Sequence, residues 1–260
     1  MTRALWLMGI VVCSAATLAA QGPPGGRGGR GAPTPQTPRA AAPLDLTGNW
    51  VAVISEDWRW RMVTPAKGDY LSIPITQAAK DTADTWDPAK DTAAGLQCRS
   101  YGAPALMRSP TRLRISWRDD TTMLVESDYG TQTRVLQFVP GVPGERSWQG
   151  NSVATWDRAA RGRGAAPAAE DAAFGNGSLK VVTTNLRPGY LRKNGVPYSG
   201  DTVLTEYWDT FQAPGGVWWF VITSVVHDPA NLQTDWITSL HFKKEPDASK
   251  WSPSPCSAEW

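Results

Sequence analysis

From residue 50 to residue 243 the chain is cut into about ten short runs, separated by turn-forming Gly, Pro, Asn and Asp residues. The runs span residues 50–54, 58–63, 111–117, 123–127, 132–139, 152–156, 179–186, 202–208, 217–226 and 236–243. In residues 111–117, Leu113, Ile115 and Trp117 face one way and Arg112, Arg114 and Ser116 the other, the period-two pattern of a half-buried strand. Asp128-Tyr129-Gly130 reads as a hairpin-like turn, Asn194-Gly195 is a pair favoured by two-residue hairpins, and Ala213-Pro214-Gly215-Gly216 separates two of the most apolar runs. About ten short strands with frequent turns predict an all-β fold: an antiparallel β-barrel or a strongly curved sheet. One or two short helices are expected between residues 77 and 95. There Ala79, Ala83 and Trp86 share a face, Asp87-Pro88 offers a second helix start, and Gly95 a stop.

The domain predicted to fold this way covers residues 44–260. Residues 1–20 have the form of a secretory signal, with Arg3, an apolar run to Cys13 and small residues to Ala20. Val12 stands before Cys13 where a lipid-anchor signal wants a small residue. Residues 21–43 hold no aliphatic side chain larger than Ala apart from proline, so they are expected to be a disordered tether. A second low-complexity stretch near residues 160–177 reads as a mobile loop. Four of the 26 basic residues precede Leu44 and none of the 24 acidic ones does. The folded part is therefore slightly acidic, and no nucleic-acid partner is expected. A periplasmic or secreted location, with no transmembrane segment in the mature chain, makes Cys98 and Cys256 a natural disulfide.

Tryptophan is the compositional outlier, at 14 residues. Read as a strand, Trp58-Arg59-Trp60-Arg61-Met62 puts two indoles on one face and two guanidinia on the other. That is either an aromatic wall with anion-ready arginines, or a core face opposite a solvated one. Trp218 and Trp219 must point to opposite faces. Glu206 lies mid-strand between Leu204 and Trp208. It is either half of an ion pair with Arg114, Arg134 or Arg192, or a cavity carboxylate suited to acid work. The two histidines, His227 and His241, lack metal-site spacing. No nucleophile elbow and no phosphate-binding glycine loop is present, so no metal and no cofactor is expected.

Asp45-Leu46-Thr47-Gly48-Asn49-Trp50, residues 56–62, residues 187–195, Thr205-Glu206-Tyr207, Asp228-Pro229 and residues 241–245 together resemble a broad group of exported bacterial proteins. That resemblance covers nearly the whole folded region and implies no particular reaction. Gly48-Asn49-Trp50 is also similar to the first-strand Gly-x-Trp of lipocalins and related calycin barrels, although this chain is longer and lacks an obvious long C-terminal helix.

These readings predict an exported barrel with a central cavity that binds a small apolar or amphipathic ligand. Trp58, Trp60 and Trp219 are expected as cavity or rim aromatics, and Arg61, Arg114 and Glu206 as polar contacts. The alternatives are a periplasmic enzyme using Glu206 or His227, and an envelope interaction module presenting tryptophan faces.

Overall fold

The alternating runs become strands whose apolar side chains turn inward. The computed structural model describes residues 36–157 and 177–259; the signal, residues 21–35 and all but the last residue of the loop expected near 160–177 lie outside the described residues. The barrel strands are β1 (Gly48–Val53), β2 (Arg112–Asp119), β3 (Thr122–Ser127), β4 (Gln132–Gln137), β5 (Asn151–Asp157) and β6 (Ser178–Thr184), followed later by β9 (Val203–Gln212), β10 (Trp218–His227) and β11 (Trp236–Glu245). Among the described residues these nine close a barrel in the order β1-β11-β10-β9-β6-β5-β4-β3-β2, and β7 (Gly189–Arg192) and β8 (Val196–Tyr198) form a separate hairpin.

Strands that simply alternate direction close a ring only in even number. Nine strands therefore need one parallel neighbour pair. β4 and β5 supply it, with Leu136 opposite Ser152. The price of that pair is a chain reversal through residues 138–150, since parallel strands cannot be joined by a tight turn.

The interior is filled rather than hollow. Trp50, Trp208, Phe220 and Phe242 are fully buried, together with Leu113, Ile115, Val125, Leu136 and Leu179. Phe220 stacks on Phe242 at 4.6 Å between ring centroids and meets Trp50 edge-on at 4.7 Å. Such ring pairs contribute about 0.5–1.5 kcal/mol each beyond their buried area. The Trp50 indole donates to the Leu46 carbonyl at 2.8 Å, which keeps its polar atom satisfied. The central cavity expected from the sequence is therefore occupied by core. A barrel of this strand number is narrow enough for its own side chains to fill.

The strand expected over residues 58–63 is instead α1 (Trp58–Arg61), a single helical turn in the long β1–β2 connection. Asp57 opens it with φ 54°, a left-handed conformation that Asp tolerates better than most residues. The alternation of Trp and Arg there does not report a strand. The segment has no sheet neighbour, and its Arg61 rather than its tryptophans is the residue that becomes buried. The same connection holds α2 (Gln77–Asp84), α3 (Pro88–Ala93), a 3-10 turn (Arg99–Tyr101) and α4 (Ala103–Leu106), more helix than expected. Thr76 caps α2 by accepting from the Ala79 N–H, and Asp87 caps α3 with Pro88 in its first turn.

Residues 38 and 39, within the stretch expected to be a tether up to Pro43, pair with the barrel. The Arg39 N–H donates to the Asp120 carbonyl, and the Trp156 indole donates to the Pro38 carbonyl at 2.8 Å. Cys98 and Cys256 are bonded, across a separation of 158 residues. The bond ties the C-terminal segment, whose Trp251 lies under Arg114, to the β1–β2 connection.

Candidate functional site

The strand register brings the β1–β2, β3–β4, β6–β9 and β10–β11 connections to one end of the barrel, where they form a cap. Below the cap lies a buried polar layer. The fork of Arg134 donates to both oxygens of Glu206, at 3.1 and 2.6 Å, and to Thr183 Oγ1 at 3.2 Å. Both side chains of that pair are almost fully buried. The geometry is bidentate, the form in which a carboxylate accepts most strongly. Asp228 closes another part of the cap. It accepts from the Ser199 N–H and hydroxyl, the Thr202 hydroxyl and the Asn231 amide. Burial raises its pKa, but those donors outweigh burial and hold it below the ordinary carboxylate value.

The β7–β8 hairpin supplies the cap's central residues. Gly195 turns it with φ +86°, and a Cβ at that position would lie 2.3 Å from Cβ of Trp86. Only glycine meets both demands. The turn holds Lys193 and Asn194 inward. Lys193 Nζ donates to the hydroxyls of Tyr101 and Tyr129 at 2.9 and 2.6 Å, and sits over both rings. Burial pulls its pKa down to about 7.

Among the cavities beside this hairpin, two share no lining residue with each other. The larger, about 320 Å³, lies between α2–α3 and the hairpin, walled by Trp86, Pro188, Tyr190, Pro197 and Tyr198. On one side of it Asp91 is bridged to Tyr190 and Arg99: the Tyr190 hydroxyl donates to Asp91 at 2.9 Å, and Arg99 donates to both at 2.9 Å. Burial and the Asp91 hydrogen bond raise the Tyr190 pKa, so this hydroxyl stays protonated and able to donate. The smaller cavity, about 30 Å³, is bordered by Trp60, Arg61, Arg108, Arg192 and Lys193, with Ser100 and Ser109.

Six residues were expected to make one site, and the structure brings two of them together. Trp60 and Arg61 share the small cavity; the Trp60 ring lies between the guanidinia of Arg59 and Arg192. Trp58 is 65% exposed on α1, beside the exposed Met62 and Val63. Trp219 stacks on Phe211 on the outer wall. Arg114 also lies outside the barrel, over Trp251, so it cannot reach Glu206; the ion-pair partner is Arg134. Glu206 projects into the barrel but meets no cavity, because Arg134 holds both of its oxygens. His227 pairs with Asp235 at the exposed end of β10, and His241 lies on β11 within 3.5 Å of Glu56.

Reading strands one at a time missed Trp86, Asp91, Arg99, Arg108, Tyr190 and Lys193. A signal for several of them existed. Residues 56–62 and 187–195, singled out as marks of a protein group, meet at this cap. The chain matches no known protein-family model, no curated protein and no solved structure.

Proposed function

We propose that this protein is an exported β-barrel that binds a small amphipathic ligand at its cap, in the cleft between α2–α3 and the β7–β8 hairpin. The observation that carries this reading is the 320 Å³ cavity, whose aromatic and proline walls meet a hydrogen-bonded Asp91–Arg99–Tyr190 group. A volume in the range of small-ligand sites, apolar walls and a few fixed polar groups are the usual features of such sites. The disulfide and the leader-like first twenty residues support export. Binding rather than catalysis is favoured because Glu206 is consumed by its ion pair and His227 stands at the surface. The reading as an envelope interaction module draws on the exposed Trp58, Met62, Val63 and Leu71.

The test is native mass spectrometry of protein purified from its exporting host, alongside Tyr190→Ala. A co-purified small molecule carried by the parent and lost from the variant is the expected result. A parent with no bound mass, and no change in tryptophan fluorescence against a panel of amphipathic compounds, overturns the reading.

A further inference from the structure

We propose that the small cavity bordered by Arg61, Arg108 and Arg192 is an oxyanion site, which takes a phosphate-, sulfate- or carboxylate-type group. This goes beyond the amphipathic-ligand cleft and stands on different residues.

Around this cavity the described residues carry more positive than negative charge. Arg61 and Arg108 are 3% and 7% exposed, and Arg192 is 5% exposed. Arg61 Nη1 pairs with Glu56, and Arg108 Nη2 donates to Asp57 at 2.9 Å. Arg192 has no carboxylate among its hydrogen-bond partners. Its guanidinium donates to the carbonyls of Asp69 and Leu71 and to the Ser72 hydroxyl, over the face of Trp60. Asp69 pairs with the exposed Arg59 and its charge also reaches Arg192, so four guanidinia, three of them buried, share the three carboxylates Glu56, Asp57 and Asp69. Burying an unmatched cation is costly, and an anion in contact with it recovers that cost.

The second observation is unused donor capacity. Nη2 of Arg61 and Nη1 of Arg108 are buried without a hydrogen-bond partner, although both residues border the cavity. A buried N–H without an acceptor is uncommon and calls for a ligand or a water. The cavity, at about 30 Å³, is open and has room for roughly two waters or one small oxyanion group. The two unpartnered nitrogens belong to different guanidinia, so each can donate to a separate oxygen, which suits an anion with two or more oxygens better than chloride.

Electrostatics agrees with the geometry. Burial, then the neighbouring Arg108 charge, lowers both Arg61 and Arg192 to about 10. Arg108 therefore lies close enough to repel both, and an oxyanion among the three relieves that repulsion. Asp57, which has a left-handed backbone conformation, holds the Arg108 guanidinium by accepting from its Nη2.

The test is calorimetric titration of the full protein with inorganic phosphate, sulfate and acetate at constant ionic strength, with chloride as the balancing salt. Saturable binding of at least one of the three is expected, with a rise in Tm over the chloride control. Phosphate or sulfate preference identifies a tetrahedral site and acetate preference a carboxylate site. Arg192→Met is expected to weaken binding tenfold or more, and Arg118→Met, which removes an exposed cation at the opposite end of the barrel, to leave it unchanged. Absence of saturable binding of all three anions to the parent protein at 10 mM overturns the proposal, even if Arg192→Met fails to fold. Equal weakening by both substitutions also overturns it, since that marks diffuse surface charge. Neither result bears on the co-purified ligand of the larger cleft.

Discussion

The two ends of this barrel solve the same closure problem with opposite chemistry. At the end away from the cap, Trp117, Phe138 and Trp156 pack ring to ring at 5.0–6.4 Å, Trp218 packs against the same core, and the Pro38 carbonyl accepts from the Trp156 indole. At the capped end, Arg61, Arg108, Arg192 and Lys193 are buried among tyrosines, a tryptophan and a few carboxylates. The first arrangement is inexpensive, since burying rings is favourable and their polar atoms are few. The second carries desolvation costs that packing alone does not require. Proteins depart from the cheaper solution chiefly at functional sites, and this contrast is what favours the cap for the ligand sites proposed above.

If that division is right, substitutions below the cap should cost stability and leave binding intact. The largest effect is expected at the buried pair. Glu206→Leu leaves Arg134 buried and unpaired, and should cost about 3–5 kcal/mol in urea unfolding. The double change Arg134→Met/Glu206→Leu should recover most of that loss. A double variant no more stable than the single one would show that Arg134–Glu206 is needed for more than mutual neutralisation.

Next in size is the disulfide that staples the C-terminal segment to the cap. Cys98→Ala/Cys256→Ala should cost about 2–5 kcal/mol. It should also weaken oxyanion binding, because Tyr129 and Ser254 are bridged beside the bond and Tyr129 accepts from Lys193. Unchanged anion titration in that variant would detach the cap's order from the staple.

A smaller effect tests the aromatic end. Trp156→Phe keeps the ring stack and removes the hydrogen bond to Pro38, and should lower stability by about 1 kcal/mol with no change in any binding titration. A chain starting at Leu44 should show a loss of the same order. No loss in either would return residues 36–43 to the role of tether.

The smallest is a slope with pH, and it sharpens the cap side of the comparison. Burial lowers Lys193 to about 7, while the tyrosine hydroxyls and ring faces around it favour its charged form, which keeps the effect modest. Between about pH 7 and the ordinary lysine value the unfolded chain binds more protons at this residue than the folded one. Stability contributed here should therefore rise as pH rises through that window and be flat below it. Lys193→Met should remove that rise in thermal unfolding measured from pH 6 to 10. An identical profile in the variant would show that Lys193 titrates normally.

Much of this was legible from local pattern. Period-two alternation in β2, β9 and β10 marks residues by face, and a strand has only two faces, so Leu113 had to lie with Ile115, Leu204 with Glu206, and Phe220 with Ile222. The turn at Asn194-Gly195 and the cap at Asp87 act within a few residues and formed where the sequence places them, although the hairpin loop holds three residues rather than two. The two cysteines of the folded part found each other. What no local pattern carries is which face meets which neighbour. Barrel closure with nine strands required the parallel β4–β5 pair, and the closed ring then filled its own centre with Trp50, Trp208, Phe220 and Phe242. Glu206 was readable as an inward carboxylate. Alternation in β2 already sets Arg114 opposite the inward Leu113 and Ile115; that the inward Arg134 is the residue meeting Glu206 across the barrel was settled by tertiary structure. The cationic cavity gathers Arg61, Arg108 and Arg192 from segments more than a hundred residues apart at the extremes. Proximity of that kind is a property of chain topology, and only the tertiary structure decides it.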